Sequence, residues 1–157
     1  LSNCTIGYVR HIGLSLVILV ISISSLQIVV TPLKLLMLII FVLGGSLIQA
    51  GFYLIFSAPN FWMVRGENIL TLFFFQVSDF VQYPITIYPL ILQGMLTFVL
   101  PYAFINFYPA QYFLGKNDFS IFNPVLQFLT PIVGIVVFLF GVWFWNWSLK
   151  KYQSTGT

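Results

Sequence analysis

The sequence predicts an all-α, polytopic helical membrane protein with four transmembrane helices plus an amphipathic or re-entrant helix, all in one transmembrane domain. Three observations predict it. Hydrophobic residues make up 60% and charged residues 6% of the 157, where about 45–50% and about 25% are usual in a soluble domain. The mean hydropathy is +1.02. Uncharged stretches at 12–30, 35–56, 90–108 and 125–147 each approach the roughly 20 helical residues that cross a bilayer core. Strands are disfavoured because apolar and polar residues do not alternate, and hydrogen-bond satisfaction in lipid then leaves helices.

The first stretch, 12–30, begins beside Arg10 and His11 and contains Gln27. Thr31, Pro32, Leu33 and Lys34 join it to the second, 35–56, a link short enough to predict an antiparallel helical hairpin. Pro32 suits the first turn of the second helix, where its missing N–H costs nothing. Gly44 and Gly51 on that helix are seven apart, as are Gly134 and Gly141 on the last. Each pair lies on one helix face, which permits close approach. Glycine is also simply common in membrane helices.

Residues 57–89 hold Arg65, Glu67 and Asp79 and do not read as a simple span. Within them, 68–82 carries a polar stripe of Asn68, Thr71, Ser78, Asp79 and Gln82, the pattern of a helix lying at the membrane face or entering it partway. A tilted fifth span is the alternative. Pro84 and Pro89 stiffen the entry into the third span, and Tyr83 and Tyr88 before them are held extended. These four residues and Asp79 are the candidate coupling elbow. The third stretch, 90–108, contains Pro101, a candidate hinge because proline removes a helical hydrogen bond. The fourth, 125–147, has Pro131 near its start and ends in Trp143, Trp145 and Trp147 before Lys150 and Lys151. An aromatic belt followed by cations anchors a helix at the interface.

Several chemistries find no support. Six Lys and Arg spread over the chain make no basic patch, so nucleic acid is not an expected partner. No charged residue falls inside the four stretches, and proton or sodium pathways usually need one. His11 is the only histidine and Cys4 the only cysteine, so neither a metal site nor an internal disulfide is expected. Gly115 and Lys116 lack the earlier glycine of a phosphate-binding loop, since Ala110 stands there. No catalytic residue and no cofactor is expected. Gln27, Gln49, Gln93, Asn106 and Gln127 remain as intramembrane polar groups, the last four being candidates either for contacts between helices or for the lining of a path. Four of the six cations, Arg10, Arg65, Lys150 and Lys151, fall on one side of a four-span model, and Lys34 and Lys116 on the other. That asymmetry puts both chain ends and residues 57–89 in the cytoplasm.

A set of motifs adds to this reading. Phe61 and Trp62 form one. Tyr83, Pro84, Ile87 and Tyr88 form a Tyr-Pro-x-x-Ile-Tyr element. Leu96, Thr97, Phe98 and Pro101 form Leu-Thr-Phe-x-x-Pro, followed by Tyr108, Pro109 and Ala110. The chain closes with Tyr-Gln-Ser-Thr-Gly at 152–156. The chain resembles the membrane subunit of bacterial ABC exporters, in the ABC type-2 permease group. The match is dense over about the last hundred residues and rests on hydropathy alone over the first two stretches. The resemblance implies a permease without enzyme activity of its own, driven by a separate ABC ATPase subunit. It implies a homodimer or heterodimer with a second permease, multi-pass in the bacterial cell membrane, in contact with lipid, and with a cytoplasmic C-terminus. Such permeases usually have six spans, so this chain is expected to be a C-terminal part. Residues 1–11 would then end a connection that docks on the ATPase. A non-transport membrane scaffold or assembly subunit is the rival reading.

Overall fold

The computed structural model describes residues 2–61, 83–115 and 123–151, the first ten of them as backbone. The segment 68–82, with Asp79, lies outside the described residues, as do Arg65, Trp62, Lys116 and the 152–156 motif. Every regular element among the described residues is helical. The chain divides into two compact units, Leu1–Pro32 and Leu33–Thr157.

The first unit is one helix, α1, Ser2–Ser25. The expected stretch 12–30 overshoots it by five residues. The reason is a Schellman closure. Ile28 N–H donates to the Ile23 carbonyl at 3.2 Å, and Gln27 N–H donates to the Ser24 carbonyl at 3.3 Å. Gln27 takes the left-handed conformation at φ 49°, a role usually given to glycine or asparagine. Gln27 is thus a terminator and not a polar group within a span. The side chains from Ile12 to Ile21 are all exposed.

The second unit is built on two long helices, α2 (Pro32–Ser57) and α5 (Thr130–Lys150). Pro32 is the first residue of α2, as expected from the missing N–H. A 3-10 turn, Ala58–Phe61, continues α2. At the start of α5, the Asn123 side chain accepts from Val125 N–H at 3.0 Å. That bond opens a 3-10 turn, Pro124–Phe128, and Pro131 then sits in the first turn of α5.

The glycine pairs face one another. A Cβ on Gly134 would come within 2.5 Å of the Gly44 carbonyl oxygen, and one on Gly141 within 2.7 Å of the Gly51 oxygen. The two backbones touch, which only residues without a side chain allow. Gly44 pairs with Gly134 and Gly51 with Gly141, so α2 and α5 run parallel. Phe61 continues the seam, packing edge-on against Trp145 at 4.9 Å between centroids.

The third stretch is not one continuous helix. It comprises α3 (Leu90–Gly94), a π-helical turn (Met95–Val99), a 3-10 turn (Tyr102–Phe104) and α4 (Phe107–Leu114). The chain bends by 78° between the arms Leu90–Val99 and Tyr102–Leu114. Leu100 leaves the helical region at φ −117°, ψ 81°, because the residue before a proline is pushed out of it. The second arm runs past Tyr108 to Leu114, where Gly115 closes it in the left-handed region at φ 61°.

The Tyr102–Leu114 arm runs antiparallel to α2. Tyr102 stacks on Phe52 at 4.9 Å, Ile105 lies against Gly45, and Tyr112 meets Phe41 at 5.6 Å. Ile48, Phe52, Ile85, Leu96, Tyr102, Phe104 and Tyr108 form the core. Of the four expected spans, α2 with its 3-10 extension and α5 are long and apolar enough to cross a membrane. The bent pair makes a third if taken as one span, and Ile12–Ser25 is a shorter apolar helix.

Candidate functional site

Gln93, Thr97 and Tyr108 bring polar side chains together at the bend. Proline at position 101 ends regular helix after Val99, and the π-helical turn before it widens the backbone. Both changes leave carbonyl groups that need side-chain partners in an apolar core. Gln93 reaches back and donates through Nε2 to the Tyr88 carbonyl at 2.8 Å. Thr97 Oγ1 donates to the Gln93 carbonyl at 2.7 Å. Thr97 Oγ1 also lies 3.3 Å from the Tyr108 hydroxyl. A threonine hydroxyl has one proton, and the Gln93 carbonyl takes it, so Tyr108 is the donor to Thr97. The relay runs from Tyr108 through Thr97 to Gln93 and on to Tyr88. Thr97 is 1% and Tyr108 0% exposed, so water does not compete for it.

A second bond fastens the other arm. Thr130, fully buried at the start of α5, donates to the Phe104 carbonyl at 3.1 Å. Nearby on α4, Gln111 is buried with its Oε1 unbonded among the described residues. Ser57 Oγ, at the end of α2, is buried and unbonded likewise.

The elbow residues precede the bend. Pro84 introduces a 3-10 turn, Ile85–Ile87, whose Ile85 enters the core. Tyr88 is extended at φ −88°, ψ 153°, and Pro89 caps α3 at φ −62°, ψ 153°. The conformation before Pro89 is the one that proline imposes. Tyr83 is exposed. Pro101 is buried.

The four polar candidates do not converge on one cavity. Gln49 lines an open groove of about 420 Å³ with Phe41, Val42, Gly45, Ser46 and Ile105. Gln93 belongs to the relay. Asn106 is exposed at the start of α4, and Gln127 is half-buried in the turn before α5. Sequence reasoning passed over Thr97, Tyr108 and Thr130 as polar groups of interest. The signal for two of them was present: Thr97 belongs to the Leu-Thr-Phe-x-x-Pro motif and Tyr108 to the Tyr-Pro-Ala that follows, and these elements meet through their hydroxyls. At the far end of α5, the Lys151 ammonium sits 4.0 Å from the Trp147 ring centroid, a cation–π anchor at the aromatic belt. Among the described residues, no group of three or more His, Cys, Asp or Glu gathers to hold a metal.

A family model described as ABC-2 family transporter protein matches residues 1–156. No curated protein and no solved structure matches the chain.

Proposed function

The chain belongs to the ABC-2 family of transporter proteins, and from that premise we propose that it is a permease subunit working as an exporter, driven by a separate ATPase. Its apolar helices and its family make it a multi-pass membrane component of an ABC transporter. The family match over residues 1–156 carries this reading. ATP hydrolysis belongs to a partner with its own phosphate-binding loop, and that partner's closure is converted here into helix motion. A second permease, the same or a different chain, completes the path.

The membrane is the bacterial cell membrane, with the C-terminus in the cytoplasm. Lys150 and Lys151 beside the tryptophans support that orientation. The bent segment acts as a broken span. The antiparallel course of its Tyr102–Leu114 arm beside α2 supports this, because parallel α2 and α5 need an intervening return across the same thickness. From Phe41 to Phe52, the portion of α2 that the Tyr102–Leu114 arm follows, is roughly 17 Å at about 1.5 Å per residue. The candidate elbow of Asp79, Tyr83, Pro84, Tyr88 and Pro89 receives the push. Two capping prolines with an extended Tyr88 between them support a connection that transmits force.

The test is co-purification in mild detergent from native membranes, with identification of what accompanies the chain. An ATPase bearing a phosphate-binding loop is expected in stoichiometric amount. Recovery of the chain with other membrane proteins and no ATPase favours the scaffold reading instead.

A further inference from the structure

We propose that the open groove between α2 and the Tyr102–Leu114 arm holds water within the membrane, and that it is a stretch of the route for uncharged, hydrogen-bonding solutes. The hydration follows from this chain's own residues, and the assignment to a route rests on the permease reading above. Two faces of α2 differ in kind. One carries Gly44 and Gly51 and is closed by backbone contact with α5. Another borders a groove of about 420 Å³, lined by Phe41, Val42, Gly45, Ser46, Gln49 and Ile105. Gln49 is half-buried there, and its carboxamide makes no hydrogen bond among the described residues. Such an amide offers both N–H donors and carbonyl lone pairs. Ser46 is exposed, and its single proton goes to the Val42 carbonyl of its own helix at 2.8 Å. Its lone pairs are left to accept.

Depth decides what meets these groups. With its 3-10 extension, α2 runs from Pro32 to Phe61, and Ser46 stands at the middle of that length. In a hydrocarbon core about 30 Å thick and centred on this helix, Gln49 lies roughly 10 Å below the core's nearer surface, beyond the reach of a glutamine side chain. Hydrocarbon offers neither donor nor acceptor, and an amide left unpaired in it is costly. Water meets that need where a polar cavity is roomy enough. At about 30 Å³ per molecule, a groove of about 420 Å³ holds on the order of ten waters. The groove is open, so water enters without rearrangement, whereas a second copy of the chain would have to insert a side chain to reach the amide. No charged residue lines the groove, so an ion entering it would lose solvent without gaining a counter-charge. An uncharged solute can exchange hydrogen bonds with Gln49 instead.

The test is thiol accessibility in membranes of cells expressing the full chain with Cys4→Ser and one of Gln49→Cys, Ser46→Cys, Leu43→Cys or Ile39→Cys. The last two are controls, exposed at 60% and 58% on the same helix but outside the groove lining. A thiol reacts as its thiolate, which apolar surroundings suppress, so hydrated positions are the ones that react with a small neutral methanethiosulfonate. Reaction at 46 and 49 is expected to be at least about tenfold faster than at 39 and 43, with all four alike after unfolding in detergent. Relative to free cysteine, the neutral reagent should also outpace its cationic and anionic analogues at 49. Rates at 46 and 49 as low as at the controls overturn the hydrated groove. Protection at 49 together with rapid disulfide formation between copies of the Gln49→Cys chain overturns it as well, since a second copy then fills the groove. A charged reagent as fast as the neutral one overturns the assignment to uncharged solutes. Co-purification of an ATPase is scored on the same membranes. Reactive thiols with no ATPase sink the permease reading and leave the hydrated groove, and inert thiols beside a bound ATPase do the reverse.

Discussion

Single residues decide where these helices end and how closely they meet. Gln27 closes α1 with a positive φ, a conformation that strains a residue with a side chain. Gln27→Gly is expected to stabilise the closure by about 1 kcal/mol. Gln27→Val is expected to weaken it, since a β-branched residue is a true outlier there. Hydrogen exchange at the Gln27 and Ile28 amides reads both, slowed in the first and faster in the second. Gly134 and Gly94 make a sharper pair. A Cβ at 134 would strike the Gly44 carbonyl, whereas one at 94 meets nothing within 4 Å. Gly134→Ala should cost about 1–3 kcal/mol through forced separation of α2 and α5. Gly94→Ala should be neutral or slightly stabilising, as alanine favours helix over glycine. Thermal unfolding in detergent distinguishes them. The seven-residue spacing of the glycines was legible in the sequence, and so was the face they share. Their mutual pairing was not, because spacing along one helix holds no information about which helix lies opposite. Gln27 was not legible at all, since nothing in a glutamine marks a left-handed turn.

At the scale of elements, hydropathy located apolar segments but not their direction. The 90–108 stretch is uncharged throughout, and a bend of 78° leaves its hydropathy untouched. Pro101 was a visible warning. The hydroxyl relay that satisfies the bend joins Thr97 to a tyrosine eleven residues further on. At the entry to α5 Pro131 was read from the sequence, while the Asn123 cap and Pro124 were not, although they act as locally through a side-chain bond and a fixed φ angle. The elbow is likewise local. Replacing Pro84 and Pro89 together with Ala loosens both caps. The double variant is expected to insert and bind its partner normally while transporting less per ATP, measured in reconstituted vesicles with a known substrate. Normal coupling would make the elbow a connector only.

The whole molecule follows from composition in its class and from packing in its arrangement. With 6% charged residues, only a lipid-facing helical assembly was open to the chain, and most exposed side chains of α2, α5 and the bent segment are apolar in keeping with that, with Ser46, Asn106, Asn146 and Lys150 among the exceptions. The parallel course of α2 and α5 is a property of the packed unit that no local window holds. It places Phe61 and Trp145 at one end and Phe41 and Phe128 at the other. Single cysteines at positions 65, 116 and 151, in a Cys4-free background, should then respond differently to an impermeant thiol reagent on intact cells. Labelling at 116 and protection at 65 and 151 is expected, and labelling at 65 with protection at 116 inverts the topology.

The reading of this chain as a permease powered from outside itself is tested most directly by ATP turnover. The chain is purified to homogeneity in nanodiscs and assayed alone, then in complex with the ATPase that co-purifies with it. The expected result is no turnover by the chain alone and turnover in the complex that disappears when the partner's phosphate-loop lysine is replaced. Turnover by the isolated chain, or a complex whose rate ignores that lysine, would contradict it.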